Sequence, residues 1–368
     1  MKTKAAILWG VNQKWEVEEV DLDGPKEGEV LVKMTASGLC HSDHHTVTGD
    51  LPAPLPMVGG HEGAGVVVEV GAGVKEIADG DHVVLTFQPA CGRCRPCARG
   101  MSNLCDLGAK IMKGPQLDGT FRFHARGMDI GQMLLLGTFS EYAVVPTASV
   151  IKLDDAVALD TACLLGCGVT TGYGSVVRTG ETRPGDTVVV MGIGGVGINA
   201  VQGAKIAGAR NVVAIDPIQF KLDRALEFGA THVASSADEA RPLIAQLTRG
   251  ELANVCVVTT DVAEGAYVGQ ALSLVGKRGR VVVTAIGRAA DKAVDMSLFE
   301  LTLWEKQVRG SLFGSSNPRT DIFELVSLHD SGQLLLDELV TREYPLEDIN
   351  QGFDDMLSGV NLRGLIRY

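Results

Sequence analysis

The chain has 368 residues, 45% of them hydrophobic and 21% charged, which is long for one packed core and suited to two domains. A formal net charge of −12 speaks against a nucleic-acid partner, although a local basic patch remains compatible with an anionic cofactor. No apolar run approaches the roughly 20 residues a membrane helix needs, so no membrane association is expected.

The first residues, from Met1 to Trp9, carry two lysines ahead of an apolar run that is too short for a signal peptide. Asn12, Gln13 and Lys14 follow where small residues would mark a cleavage site, so a first β-strand is predicted, in a cytoplasmic protein. Up to residue 168 the apolar runs stay short and are broken by glycine and proline, as at 29–34, 65–70 and 81–85. They predict a β-rich, mostly antiparallel, barrel-like body. From residue 169 to 312 the period changes. Strands are expected at 187–191, 211–215, 255–259, 280–286 and 308–312, with helices at 196–207 and 218–228. Continuously apolar strands alternating with helices predict a doubly wound parallel sheet. Residues 313–368 return to a helix at 320–328 and a short strand near 364, a tail expected to rejoin the first domain. The fold class is therefore α/β.

Four of the eight cysteines fall within 91–105, spaced Cys91-x2-Cys94-x2-Cys97-x7-Cys105. Reduced cysteines so close together are metal ligands more often than disulfide partners. Four thiolates can surround zinc, and a closed sulfur shell leaves no place for substrate, so the site is expected to be structural. An iron–sulfur cluster is the other occupant that such a set admits.

The second motif is Gly192-Ile-Gly194-Gly195-Val196-Gly197, placed after a buried strand and at the start of a helix. Glycines there let the backbone approach a pyrophosphate at the positive helix N-terminus. Asp216 lies 19 residues beyond Gly197, where a carboxylate accepting from the adenosine ribose belongs. Its charge would repel a 2′-phosphate, which favours NAD over NADP, and Lys221 offers a further ribose contact.

A third set is dispersed: Cys40, His41, Ser42, Asp43, His44 and His45, then His61 and Glu62, then Cys167. Two cysteines and one histidine suit a zinc ion that keeps a position open for water or alcohol. Spacing alone does not join Cys40, His61 and Cys167. Cys163 and Cys256 read as core, and His44 as a surface residue.

The stretches around Cys40, His61, the four-cysteine lobe, Cys167 and Gly192, taken in order, resemble the zinc-containing medium-chain alcohol dehydrogenases. That resemblance implies a GroES-like catalytic domain over 1–168, a Rossmann NAD-binding domain over 169–312 and a C-terminal return over 313–368. It also implies two zinc ions per subunit. The catalytic one would be held by Cys40, His61 and Cys167, with Glu62 able to approach the metal and Asp43 orienting His61. Ser42 would take the alcohol proton and His45 would pass it to solvent. Thr171 and Arg363 match cofactor-contacting positions, whereas His41 stands where many relatives carry an arginine, a weaker partner for pyrophosphate. Leu51 and Phe87 are expected to narrow an apolar substrate channel, favouring primary alcohols and their aldehydes.

The segment from Leu117 to Tyr142 resembles the long loop of the animal-type and glutathione-dependent formaldehyde branches, which are commonly dimeric. A homo-oligomer, dimer or tetramer, is expected. The whole chain looks most like actinobacterial nicotinoprotein alcohol dehydrogenases. These keep NAD bound and pass electrons to an external carrier, a nitroso dye in vitro and mycofactocin in cells. The competing readings are an ordinary exchanging dehydrogenase, a glutathione-dependent formaldehyde dehydrogenase, a polyol dehydrogenase and a non-catalytic zinc-binding protein. Leu51 counts against the formaldehyde branch, where an acidic residue is expected.

Overall fold

In the computed structural model, which describes residues 1–288 and 291–368, the short N-terminal apolar runs pair as strands. Strand Glu29–Gly38 is the hub. It pairs along its length with Gly63–Val70, while Tyr142–Pro146 and Arg363–Arg367 share its other edge. With neighbours on both sides it is buried at eight of its ten positions. His82–Leu85, Val150–Lys152 and Val340–Pro345 complete a seven-stranded sheet. Lys2–Leu8, Glu16–Leu22, Phe123–Ala125, Met128–Gln132 and Met57–Val58 close into a barrel, which removes free strand edges. Inside it Ile7, Val20, Leu22, Phe123 and Ile130 form a core with almost no exposure.

Between Thr187 and Gly310 the strands are parallel. The six-stranded sheet runs in the order His232–Ala234, Asn211–Ile215, Thr187–Met191, Ala253–Val258, Val275–Val283, Gln307–Gly310. The order reverses at Thr187–Met191, so the turn after that strand sits at the switch point where open α/β sheets bind ligands. Helices Gly195–Ile206 and Gln219–Glu227 lie where the apolar period predicts them. Helices Ala237–Leu247 and Gly265–Leu274 were not predicted, because Pro242 interrupts one and Gly265 and Gly269 the other. At Gly269 the backbone passes so near the Asp295 carbonyl that a Cβ would overlap it.

The chain divides into two units. One comprises Met1–Cys167, Asn317–Val326 and Leu336–Tyr368; the other Gly168–Ser316 and Ser327–Leu335.

The first unit carries one buried charge pair outside its functional centre. Arg122, with no side-chain exposure, gives two hydrogen bonds to Glu29, from Nε at 2.8 Å and Nη2 at 2.7 Å. Nη2 also reaches Asp118 at 3.0 Å. Burial opposes ionisation of Asp118, yet the Thr120 amide and hydroxyl and the Arg122 guanidinium outweigh it and hold the carboxyl at about 2. A buried pair contributes little net energy over an apolar replacement, but losing one partner strands the other charge. Arg122→Ala is therefore expected to cost about 3–5 kcal/mol, read as a lowered urea midpoint. An unchanged midpoint would show that Glu29 is not desolvated.

Candidate active site

The first unit brings Cys40, His61, Glu62 and Cys167 together, all buried, with one ligand atom from each lying within 4.8 Å of the others. Three peptide segments and three local devices produce this. Cys40 is the N-cap of helix His41–Thr48, and Asp43 on the first turn accepts the Cys40 amide at 3.2 Å. The other Asp43 oxygen accepts the Gly60 amide at 3.2 Å and meets His61 Nδ1 at 3.0 Å. With Nδ1 so engaged, Nε2 is the atom left to face the cluster. Gly60 has φ +86°, and a Cβ there would lie 2.5 Å from Thr138 Oγ1, so only glycine fits before His61. Gly166 similarly admits no Cβ against the Leu85 carbonyl, which seats Cys167.

The electrostatics are those of concentrated negative charge. Burial pushes the Glu62 carboxyl up to about 7, against the pull of Arg363. Arg363 is paired with it, both being essentially unexposed. Burial disfavours a charged His61 ring, but the Asp43 carboxylate overrides it and raises the pKa well above the usual value. Between the two thiols, the hydrogen bond from Cys167 draws Cys40 well below the ordinary range and leaves Cys167 well above it. A dication is the species that lets both become thiolates, so the donor set fits zinc. Ser42 Oγ lies 3.7 Å from Cys40 Sγ, and His45 follows one turn later, buried, with Nδ1 3.8 Å from Asp50. Phe87 sets its ring edge-on to His61 at 6.0 Å and packs with Met57, Met133 and Leu134. Leu51 is half-buried, its amide bonded to the His45 carbonyl at 2.9 Å. His41 and His44 are both half-buried on the same helix. Leu134 and its neighbour Leu135, missed in the sequence, are buried with φ of 53° and 67°. Nothing in their residue type signals that backbone.

The lobe places Cys91, Cys94, Cys97 and Cys105 with all four Sγ atoms within 4.8 Å of one another. The Cys94 amide donates to Cys91 Sγ and the Cys91 amide to Cys105 Sγ, both at 3.4 Å. Although burial opposes it, amides of Arg93 and Cys94 hold the Cys91 thiol at about 6, while burial pushes Cys105 up to about 12. Cys163 and Cys256 lie apart, fully buried, and burial raises both thiols.

In the second unit, helix Gly195–Ile206 starts from Gly194 with no side-chain cap, and a Cβ at Gly194 would meet nothing within 4 Å. Uncapped amides and open space suit a pyrophosphate. Gly192 has φ +91°, and a Cβ on Gly197 would overlap the Gly192 carbonyl, so both glycines hold the turn shut. Asp216 accepts the Ile193 and Ile218 amides at 2.8 and 2.9 Å, with Lys221 Nζ 4.0 Å away. Each carboxylate oxygen keeps a lone pair for a ribose hydroxyl. Thr171 Oγ1 is buried and has no hydrogen-bond partner among the described residues.

Residues 26–155 match the alcohol dehydrogenase GroES-like domain, and residues 195–330 match the zinc-binding dehydrogenase family. Over the whole chain, and 99% of the relative, the sequence is 52% identical to alcohol dehydrogenase B of Mycobacterium tuberculosis. It is also 52% identical, with the same coverage, to the NDMA-dependent alcohol dehydrogenase of Amycolatopsis methanolica. The benzyl alcohol dehydrogenase of Acinetobacter calcoaceticus superposes over the full chain and 99% of its own length with TM-score 0.93 and 28% identity. An alcohol dehydrogenase zinc-binding domain protein from Burkholderia ambifaria gives 0.94 and 35%, again over the full chain and 99% of its length. Matched end to end and carrying two zinc-competent donor sets and a glycine-rich dinucleotide turn, the chain belongs to the zinc-dependent medium-chain alcohol dehydrogenases.

Proposed function

We propose that the chain oxidises primary alcohols to aldehydes by hydride transfer to a resident NAD that an external carrier re-oxidises. The observation carrying the first half is the buried Cys40–His61–Cys167 donor set with Asp43 behind His61. Zinc bound there supplies Lewis acidity that brings an alcohol's pKa toward neutrality. Ser42, beside Cys40, accepts the alcohol proton, and His45 hands it toward Asp50 and solvent. Asp43 fixes the His61 tautomer, and Phe87 keeps an apolar wall against the reacting carbon. Arg363, expected from the resemblance to contact the cofactor, is paired with Glu62 in the chain by itself and neutralises it, so that this carboxylate does not compete with substrate for the metal. The amides at Gly194 to Gly197, the Asp216 carboxylate and Thr171 Oγ1 hold NAD. His41 and Lys221 add the polar contacts a dinucleotide requires.

Cys40→Ser and Cys167→Ser are expected to lose one of two zinc equivalents and to reduce turnover by about 10³-fold or more. Cys97→Ser should lose the other equivalent and mainly the melting temperature. Metal analysis with calorimetry checks both. Full turnover in Cys40→Ser would remove the ligand assignment.

Support for resident NAD comes from the Amycolatopsis relative, whose name records dependence on the nitroso dye NDMA; a mycofactocin-like carrier would fill that place in cells. Dialysed protein should retain about one NAD per chain and turn over benzyl alcohol with NDMA and no added NAD. Continuous NADH release with excess NAD would instead mean an exchanging dehydrogenase.

We read the protein as a cytoplasmic homo-oligomer, dimer or tetramer. All eight cysteines are free of disulfides, and no described helix is long and apolar enough to cross a membrane. Strand Gln307–Gly310 ends the parallel sheet with one edge unpaired among the described residues. Nearby in sequence, Leu298, Phe299 and Leu303 are 67%, 69% and 62% exposed on one short helix. An open edge and an apolar patch suit a second copy of the chain. Light scattering should give a dimer or larger, and the Phe299→Glu, Leu303→Glu double variant a monomer. A monomeric wild type would refute this.

A further inference from the structure

We propose that Thr138 and Ser37 are positioning residues for the metal centre, clamping the backbone on both sides of His61. The inference rests on the reading of His61 as a metal ligand. His61 is flanked by two peptide carbonyls, those of Gly60 and Glu62, and each is held from the same place. The Thr138 amide donates to the Gly60 carbonyl at 3.1 Å. The Ser37 hydroxyl donates to the Glu62 carbonyl at 2.8 Å and lies 2.6 Å from Thr138 Oγ1. Because Ser37 spends its proton on Glu62, the proton between the two hydroxyls comes from Thr138. The Glu62 carbonyl also accepts the Gly38 amide at 2.9 Å. One threonine therefore reaches both sides of the ligand, by its amide on one and through its hydroxyl and Ser37 on the other.

Three features argue that the relay positions the ligand and is not merely a satisfied pair of hydroxyls. Thr138 and Ser37 are both 0% exposed, so water cannot replace a lost partner. Tyr368 Oη donates to the Thr138 carbonyl at 2.6 Å and fixes the threonine from its far side. Finally, Gly60 and Gly63 lie against the Thr138 side chain, where a Cβ would come within 2.5 Å of Oγ1 and 2.7 Å of Cγ2 respectively. The loop before and after His61 is thus packed against Thr138, with Phe139 and Met34 completing the contact at Gly60 and Gly63. Asp43 sets the ring's rotation through Nδ1, while Thr138 and Ser37 set where its backbone stands. Loss of the hydroxyl would let the 60–62 segment drift and open the Cys40–His61–Cys167 set, without removing any ligand.

The test uses full-length protein with Thr138→Val, which keeps the shape, Thr138→Ser, which restores the hydroxyl, and Ser37→Ala. Cobalt exchanged into the Cys40 site is read by its visible absorption, and metal release to a chelator is timed. Thr138→Val and Ser37→Ala are expected to shift the cobalt bands and to release one metal equivalent about 10-fold faster, as loss of groups behind a ligand typically does. kcat should fall with KM for alcohol little changed, and Thr138→Ser should return all three signals. A remote core truncation, Ile244→Val, supplies the effect of plain destabilisation and should leave the spectrum alone. Wild-type spectrum and release rate in either Thr138→Val or Ser37→Ala would overturn the proposal, as would failure of Thr138→Ser to rescue. If Cys40→Ser keeps both metal equivalents, the ligand reading itself has failed; if Cys40→Ser loses one while Thr138→Val is indistinguishable from wild type, only the clamp has.

Discussion

Everything at the centre depends on one buried carboxylate. Asp43 has no exposed surface, and its two oxygens hold the Cys40 amide, the Gly60 amide and the His61 ring. Burial raises its pKa, opposed by His61. An ion in that position is tolerable only because three donors converge on it. The consequence is mutual. Asp43 draws together a helix N-terminus and a loop distant in sequence, and those segments in turn keep it ionised. Remove that anchor and Cys40 and His61 no longer share a frame, whatever Cys167 does.

The glycines serve the same end. Gly60 and Gly166 precede His61 and Cys167 of the inner donor set, at places where a Cβ would strike backbone or a fixed side chain. Gly38 lies so close to Glu62 and Arg363 that any side chain would break that pair. In the second unit Gly192 and Gly197 close the turn on itself, whereas Gly194 faces open space. Two different uses of glycine coexist: close packing of protein on protein, and room for a ligand. The distinction follows from geometry, since the residue type is identical.

This division also explains what could be read in advance. Strands such as Thr187–Met191 and Asn211–Ile215, buried on both faces, announce themselves as continuous apolar runs. The four-cysteine lobe is legible because its ligands are local. Cys40, His61 and Cys167 are not, since the contacts joining them run through Asp43 and through backbone that carries no sequence signal; a family resemblance, not spacing, linked them. Helices Ala237–Leu247 and Gly265–Leu274 were hidden by a proline and two glycines that tertiary packing tolerates. The hydroxyl pair of Ser37 and Thr138 was invisible for a further reason. A serine in an apolar strand and a threonine in a loop look like filler until their partners are known.

The two metal-competent sets differ in how they balance charge. The lobe keeps Cys91 and Cys94 partly exposed beside Arg93 and Arg95, so solvent and nearby cations share the burden of four thiolates. The inner set has no such relief. Cys40, Cys167, Glu62 and Asp43 are all buried, with Arg363 set against Glu62 and the His61 ring against Asp43. Burial drives Glu62 to about 7, and the hydrogen bond to Cys40, with burial behind it, holds Cys167 high. A zinc ion held there by Cys40, His61 and Cys167 would offset the charge of the two thiolates. A buried centre balanced in this way would stabilise a developing alkoxide without trapping it, which is the compromise that hydride transfer demands.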